Sequence, residues 1–219
     1  MHTGKNCTLA QAMALVHSGD RVMIGGFGDA GLPDVLVEAL ADSGLRDLTI
    51  ISCGLGSGPE HGLGRLLYNG QVRELIGTHY NRNPEVARQY YQGKLQVTLL
   101  PLGTLIESIR AGGAGIPAYF TPTAVGTELA TGKETRIFDG KPYVMERALQ
   151  ADVALICAAQ ADTLGNLVYR KTARNFNPMM ATAAGTVITQ VGEIVPAGHL
   201  DPERIETPHL YVDRLVEVQ

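Results

Sequence analysis

The stretch Asp20-Arg-Val-Met-Ile-Gly-Gly-Phe-Gly-Asp-Ala-Gly-Leu-Pro33 decides how the chain is read. Residues 21–24 form a short apolar run, as expected of a strand buried on both faces. The run meets Gly25, Gly26, Gly28 and Gly31. Beyond Pro33, the apolar residues Val35, Leu36, Val37, Ala39 and Leu40 follow a helical pattern. Glycines admit positive φ and let a ligand approach the backbone. Proline suits the first turn of a helix, where its missing N–H costs nothing. Free N–H groups at such a start favour an anion. The segment is therefore a candidate seat for a phosphate, carboxylate or oxyanion, made of Gly25, Gly26, Phe27, Gly28, Asp29, Ala30 and Gly31.

Other readings of the same segment stay open. Gly26-Phe-Gly28-Asp-Ala-Gly31 also matches the dinucleotide pattern G-x-G-x-x-G, which wants an acidic residue about 20 positions later at the end of the second strand. That strand ends here in Cys53-Gly54, and Asp47 stands at its wrong end. A glycine turn with no ligand is the plainer alternative.

Working outward, strand and helix signals alternate. Residues 9–17 have helical spacing. Strands are expected at 21–26, 48–52, 72–77 and 95–100, and helices at 33–43, 61–69, 84–92 and 103–111. Apolar strands separated by short helices argue for parallel βαβ units. Residues 112–134 are rich in glycine and read as an ordered loop. Residues 135–138 and 143–146 flank Asp139-Gly140, a strong hairpin signal. Strands of parallel type are expected again at 152–157, 166–169 and 186–190. The expectation is an α/β fold with an open, mostly parallel sheet covered by helices and a small antiparallel hairpin addition. Residues 1–219 form a single domain on this reading. Both 25–31 and 52–58 follow strand ends, where open α/β sheets bind ligands.

Composition narrows the function. Of 219 residues, 45% are hydrophobic and 18% charged, an ordinary globular balance. A net charge of −4 offers no basic footprint, so no nucleic-acid partner is expected. No apolar run approaches a membrane span. The start Met1-His-Thr-Gly-Lys-Asn-Cys7 lacks a signal-peptide core, and a cytoplasmic protein is expected. Cys7, Cys53 and Cys157 have no metal-ligand spacing. Cys157 lies in an apolar run and reads as a buried small hydrophobe.

Several blocks, taken in order, resemble the A (alpha) subunit of family I coenzyme A transferases. They are the glycine segment 25–33, Leu45-Arg-Asp-Leu-Thr-Ile-Ile-Ser52, Gly103-Thr-Leu-Ile-Glu-Ser-Ile-Arg-Ala-Gly-Gly-Ala-Gly115, Thr121-Pro-Thr123, Gly132-Lys-Glu134 and Ala173-Arg-Asn-Phe-Asn-Pro178. Asn83-Pro84-Glu85 and Asp162-Thr-Leu-Gly-Asn166 look most like the acetate, acetoacetate and butyrate transferases, with the 3-oxoadipate and succinyl-CoA:3-oxoacid enzymes close behind.

The resemblance implies a covalent mechanism. A glutamate carboxylate attacks an acyl-CoA to give an acyl-glutamyl anhydride and CoA thiolate. The thiolate returns to form a glutamyl-CoA thioester, and an acceptor carboxylate then collects the CoA. In the family, the B (beta) subunit carries that glutamate in a Ser-Glu-Asn-Gly block, which this sequence lacks. The expectation is half an enzyme. No catalytic residue lies in this chain, coenzyme A or acyl-CoA is substrate, and no metal or permanent cofactor is needed. A B partner is expected in an A2B2 heterotetramer. Residues 25–31 would contact CoA and developing oxyanions.

Three positions depart from the family pattern. Cys53-Gly54 stands for an Asn-containing pair, Leu102 for the Gln of Pro-Gln-Gly-Thr, and Ala124 for the Gly of Pro-Thr-Gly. The resemblance places all three near the acyl pocket, with Gly103, Thr123 and His79 as further pocket candidates. Fewer amide groups make such a pocket less polar, which favours butyryl-like acyl groups over acetoacetyl. His79 alone also reads as a structural hydrogen-bonder. Arg174-Asn175-Phe176-Asn177 could fix a carboxylate or brace the glycine loop, and bracing is favoured. Gly112-Gly113-Ala114-Gly115 could be a lid or a packing loop. An acyl-CoA hydrolase on the same scaffold, a nucleotide-dependent oxidoreductase and a non-catalytic α/β binding domain are the remaining alternatives.

Overall fold

The computed structural model describes residues 4–56, 58–59 and 62–218. In chain order its strands are β1 (Arg21–Ile24), β2 (Leu48–Ile51), β3 (Val72–Gly77), β4 (Gln96–Leu99), β5 (Ala118–Thr121), β6 (Thr135–Phe138), β7 (Lys141–Arg147), β8 (Ala151–Asp162), β9 (Leu167–Val168), β10 (Ala184–Val195) and β11 (Arg214–Glu217). The helices are α1 (Leu9–Met13), α2 (Asp34–Asp42), α3 (Gly62–Tyr68), α4 (Pro84–Tyr91), α5 (Leu102–Gly113) and α6 (Asn177–Thr182).

Eight strands form one sheet whose main path runs β11-β10-β8-β1-β2-β3-β4, parallel throughout. Only β9 turns back, antiparallel to β8. Successive side chains of a strand point to opposite faces, and the core divides accordingly. Ile24, Ile50, Leu75 and Leu155 pack with Leu36 and Leu40 of α2 and Leu66 of α3. Their neighbours Met23, Ile51, Ile76 and Ile156 pack on the other face with Leu105 and Ile109 of α5 and Met180 of α6. Both faces of the central strands are covered, which is why the runs 22–24, 50–51 and 153–159 are apolar without alternation, whereas the edge strand β4 is largely exposed. Helix starts follow local chemistry. Thr8 and Gln11 make a capping box on α1, and the Asn83 side chain caps α4, with Pro84 in its first turn.

The α/β class, the parallel sheet and the hairpin at Asp139-Gly140 agree with expectation. Both turn residues have positive φ, 49° and 74°, as a tight primed turn requires. Other details differ. Residues 112–134 are not all loop, because β5 pairs with β7 and makes the addition a three-stranded sheet, β5-β7-β6. The segment expected at 166–169 is short and antiparallel, since the Asp162 carboxylate turns the chain by accepting the amides of Leu164, Gly165 and Asn166 at 2.9–3.0 Å. Helix α1 ends at Met13, and Pro33 flanks α2 rather than opening it. Gly112 and Gly113 end α5 in tight packing, where an added Cβ would sit 2.0 Å from the Leu149 carbonyl oxygen and 2.2 Å from Thr182 Oγ1. The expected start of the third helix, residue 61, and the first three residues of the expected leader-free terminus lie outside the described residues. No helix among the described residues is long and apolar enough to cross a membrane.

Candidate active site

A cleft of about 1730 Å³ opens at the C-terminal ends of β1, β2 and β3. From β1 the strand order runs one way through β2 and the other way through β8, so the cleft occupies the switch point where such sheets bind ligands. Gly25, Gly26, Phe27, Gly28 and Asp29 line it, with Cys53, Gly54 and His79 opposite. Ala30 and Gly31 belong to the same turn but stand back from the cleft.

The glycine segment is a closed turn. Phe27 and Ala30 exchange backbone hydrogen bonds of 3.0 and 3.3 Å, and Gly26, Gly28 and Gly31 have φ of 110°, 59° and 68°. The Gly25 amide donates to the Leu155 carbonyl at 3.0 Å, and the Gly26 amide donates to Asn175 Oδ1 at 3.2 Å. The exposed amides of Gly28 and Asp29 have no protein partner among the described residues. Those two N–H groups belong to residues that line the cleft, whereas the Gly31 amide, also without a partner among the described residues, stands back from it.

Residues 174–177 brace this turn. Asn175 Nδ2 donates to the Ala30 carbonyl at 2.8 Å. Asn177, fully buried, donates to the Gly31 and Ala173 carbonyls at 3.1 and 3.0 Å and accepts the Cys157 amide at 3.1 Å. A Cβ on Gly25 would sit 1.8 Å from Asn177 Oδ1, and one on Gly31 would sit 2.2 Å from the Ala173 carbonyl oxygen. These glycines exist for bracing. Gly28 is different, because a Cβ there would meet nothing within 4 Å. Arg174 takes no part in the brace and lies 3.6 Å from Glu206.

The helix start does not hold a free anion seat. Gln190 reaches from β10 and its Oε1 accepts the Val35 amide at 2.9 Å and the Leu36 amide at 3.4 Å, while its Nε2 donates to Asp34 at 2.5 Å. A neutral amide thus takes the place expected of an anion. No local sequence signal marks Gln190, which lies far along the chain from α2.

The floor is built by the ends of β2 and β3. Thr78 Oγ1 donates its one proton to the Cys53 carbonyl at 2.7 Å. It therefore accepts at 2.7 Å from the Nδ1–H of His79, and Nε2 of that ring is the nitrogen turned away from this bond. Cys53 is buried, with Sγ 3.6 Å from Thr78 Oγ1; burial pushes its thiol pKa up and the hydroxyl contact opposes this. Cys157 is only half-buried and lines the cleft rather than the core. Burial, and then the nearby Asp34 carboxylate, push its thiol up to about 11.

Leu102, Gly103, Thr123 and Ala124 do not line the cleft. Leu102 opens α5 after the end of β4 and is 39% exposed. Tyr119 of β5 donates to the Thr104 carbonyl at 2.9 Å, which ties β5 to the first turn of α5. Ala124 has φ 71°. Leu102 and Gly103 thus lie just past the C-terminal end of β4, and Thr123 and Ala124 lie in the turn after β5.

This is an open α/β protein with a ligand cleft at the sheet's switch point and backbone donors on a braced glycine turn. Residues 7–218 match the family described as Coenzyme A transferase, and the chain belongs to that family. It is 52% identical over 207 residues to the A subunit of the succinyl-CoA:3-ketoacid coenzyme A transferase of Xanthomonas campestris pv. campestris (strain B100), covering 94% of this chain and 85% of the relative. It is 46% identical over 215 residues to the alpha subunit of the acetate CoA-transferase of Escherichia coli (strain K12), covering 98% and 97%. Among solved structures, a variant of the decarboxylase AibA/AibB superposes with a TM-score of 0.82 at 30% identity, covering 100% of this chain and 84% of that one.

Proposed function

We propose that this chain is the A half of a CoA-transferase that moves CoA between an acyl-CoA and a short-chain or 3-oxo carboxylic acid, in an A2B2 assembly of the cytoplasm. The observation that carries the reading is the pair of unpartnered amides, Gly28 and Asp29, facing a cleft in a chain that lacks the Ser-Glu-Asn-Gly block. In this scheme the partner's glutamate carboxylate adds to the acyl carbonyl and expels CoA thiolate. The thiolate adds to the glutamyl carbonyl of the anhydride and releases the carboxylate product. An acceptor carboxylate runs the two steps in reverse and leaves as the new acyl-CoA. Each addition puts negative charge on a carbonyl oxygen. Fixed N–H donors stabilise such charge, and loss of one donor typically slows an enzyme about 10²–10³-fold. The bound group touches the turn's backbone, Cys53-Gly54 and His79, with Leu102, Gly103, Thr123 and Ala124 meeting the acyl end where the partner closes the site.

The test is co-expression with the B partner. The complex is expected to exchange CoA between succinyl-CoA and acetoacetate or butyrate, and the chain alone is expected to be inactive. Robust exchange by the chain alone, or release of carbon dioxide in place of exchange by the complex, would sink the reading.

A further inference from the structure

The cleft has an uneven charge pattern. Asp29, Asp34, Glu38 and Asp42 line the side that runs along α2. Arg65 from α3 pairs with Glu38 at 2.6 Å and also with Asp42, and Gln190 holds Asp34. In the loop between β3 and α4 stands Arg82, the one lysine or arginine among the described lining residues. Arg82 is exposed and has no hydrogen bond, ion pair or ring contact among the described residues.

Its backbone, in contrast, is held on both sides. Asn83 is buried, donates from Nδ2 to the Leu55 carbonyl at 3.1 Å, and caps α4 through Oδ1. The Asn83 amide closes a turn onto the Tyr80 carbonyl at 3.0 Å. At the other end of the loop, Thr78 is tied to the Cys53 carbonyl and holds His79, whose backbone bridges to Gly54. A free guanidinium on a pinned loop at the rim of a cleft is a preorganised oxyanion receptor. Its planar fork matches a carboxylate or phosphate with two parallel hydrogen bonds.

We infer that Arg82 anchors an oxyanion of the acyl-CoA remote from the reacting carbonyl, either the distal carboxylate of a dicarboxylic acyl group or a phosphate of CoA. The inference rests on the reading of the cleft as an acyl-CoA site. The acidic side along α2 repels either group, so the anion is directed to the β3 side.

The experiment uses the complex with the B partner, as wild type, Arg82→Gln and Arg82→Lys. KM is measured for succinyl-CoA, butyryl-CoA and the dephospho-CoA ester of each, which lacks the ribose phosphate. Loss of a charge-assisted contact should raise KM about tenfold in Arg82→Gln, with Arg82→Lys between the two. A rise confined to the succinyl esters assigns the carboxylate. A rise absent only from the dephospho esters assigns the ribose phosphate, and one shared by all four assigns the diphosphate. Unchanged KM for all four overturns the inference while leaving the transferase reading intact. A wild-type complex that exchanges no CoA removes both. The wild type gives a reading independent of any variant: KM for at least one ester should climb with ionic strength, and four flat profiles also overturn the inference.

Discussion

Ala124 has a Cβ in a left-handed conformation, φ 71°, at a position where the family pattern carries glycine. An L-residue there costs roughly 1–2 kcal/mol, part of which glycine would return as entropy in the unfolded chain. Ala124→Gly should therefore stabilise the fold by about 0.5–1 kcal/mol, raising Tm by roughly 1–2 °C in a chain of this size. Calorimetry checks it, and a lower Tm would show that the loop does not hold this conformation. Cys157 makes a different kind of statement. Its thiol is pushed up to about 11 from 9.0 by burial and by Asp34. A raised folded pKa means the folded state keeps a proton that the unfolded chain releases. The associated stability is complete below pH 9 and lost as pH rises through about 11. Alkylation of Cys157 by iodoacetamide should accordingly have its midpoint near pH 11; a midpoint at or below 9 would contradict the burial argument.

At the scale of elements, the glycine turn and its brace divide the work between ligand and fold. Gly28→Val adds a side chain into open cleft, and its left-handed φ makes the backbone cost about 1–2 kcal/mol. Its expected signature is kcat/KM lower by about 10²-fold, as misplacement near a reacting group produces, with a fold that still melts cooperatively. Asn177→Ala strips the partner from the part-buried Cys157 amide and the Gly31 carbonyl, while the Ala173 carbonyl keeps Asn175. Leaving such groups unmet should cost about 3 kcal/mol or more, seen first as a drop in denaturant midpoint. If the two variants lose activity and stability in the same proportion, the division between a ligand-facing Gly28 and a structural Asn177 is wrong.

The same elements show what a sequence discloses. Strands β1, β2, β3, β8 and β10 are legible because a strand covered on both faces carries a run of apolar residues without alternation, as in 22–24, 50–51, 75–76, 153–159 and 187–188. The Ala-Tyr-Phe-Thr strand β5 is only half-buried and sits between glycine-rich turns, so it carries no such run. Helix α6 has six residues, too few for a period to declare itself. The turn at 25–31 is legible from its glycines, and the bracing asparagines from their place in a recognisable block. Nothing local singles out Gln190, Thr78 or the solitary charge of Arg82. Their importance lies in what they meet, or fail to meet, across space.

On the scale of the whole molecule, the cleft is assembled from parts far apart in the chain. The brace joins Gly26 to Asn175 and Gly31 to Asn177 across 149 and 146 positions, and Gln190 reaches Val35 across 155. Strand β1 meets β8 on one side and β2 on the other, so its place in the middle of the sheet is fixed only when the second half of the chain arrives. Contacts between residues distant in sequence carry the largest loop-closure penalty and slow folding. A chain emerging from the ribosome therefore presents its glycine turn long before it has the means to hold it. The nascent N-terminal half leaves the β1 edge open, a template for unwanted pairing. The binding turn is thus synthesised well before the segments that shape it, and competence to receive a ligand waits for residues 175–190 to follow it.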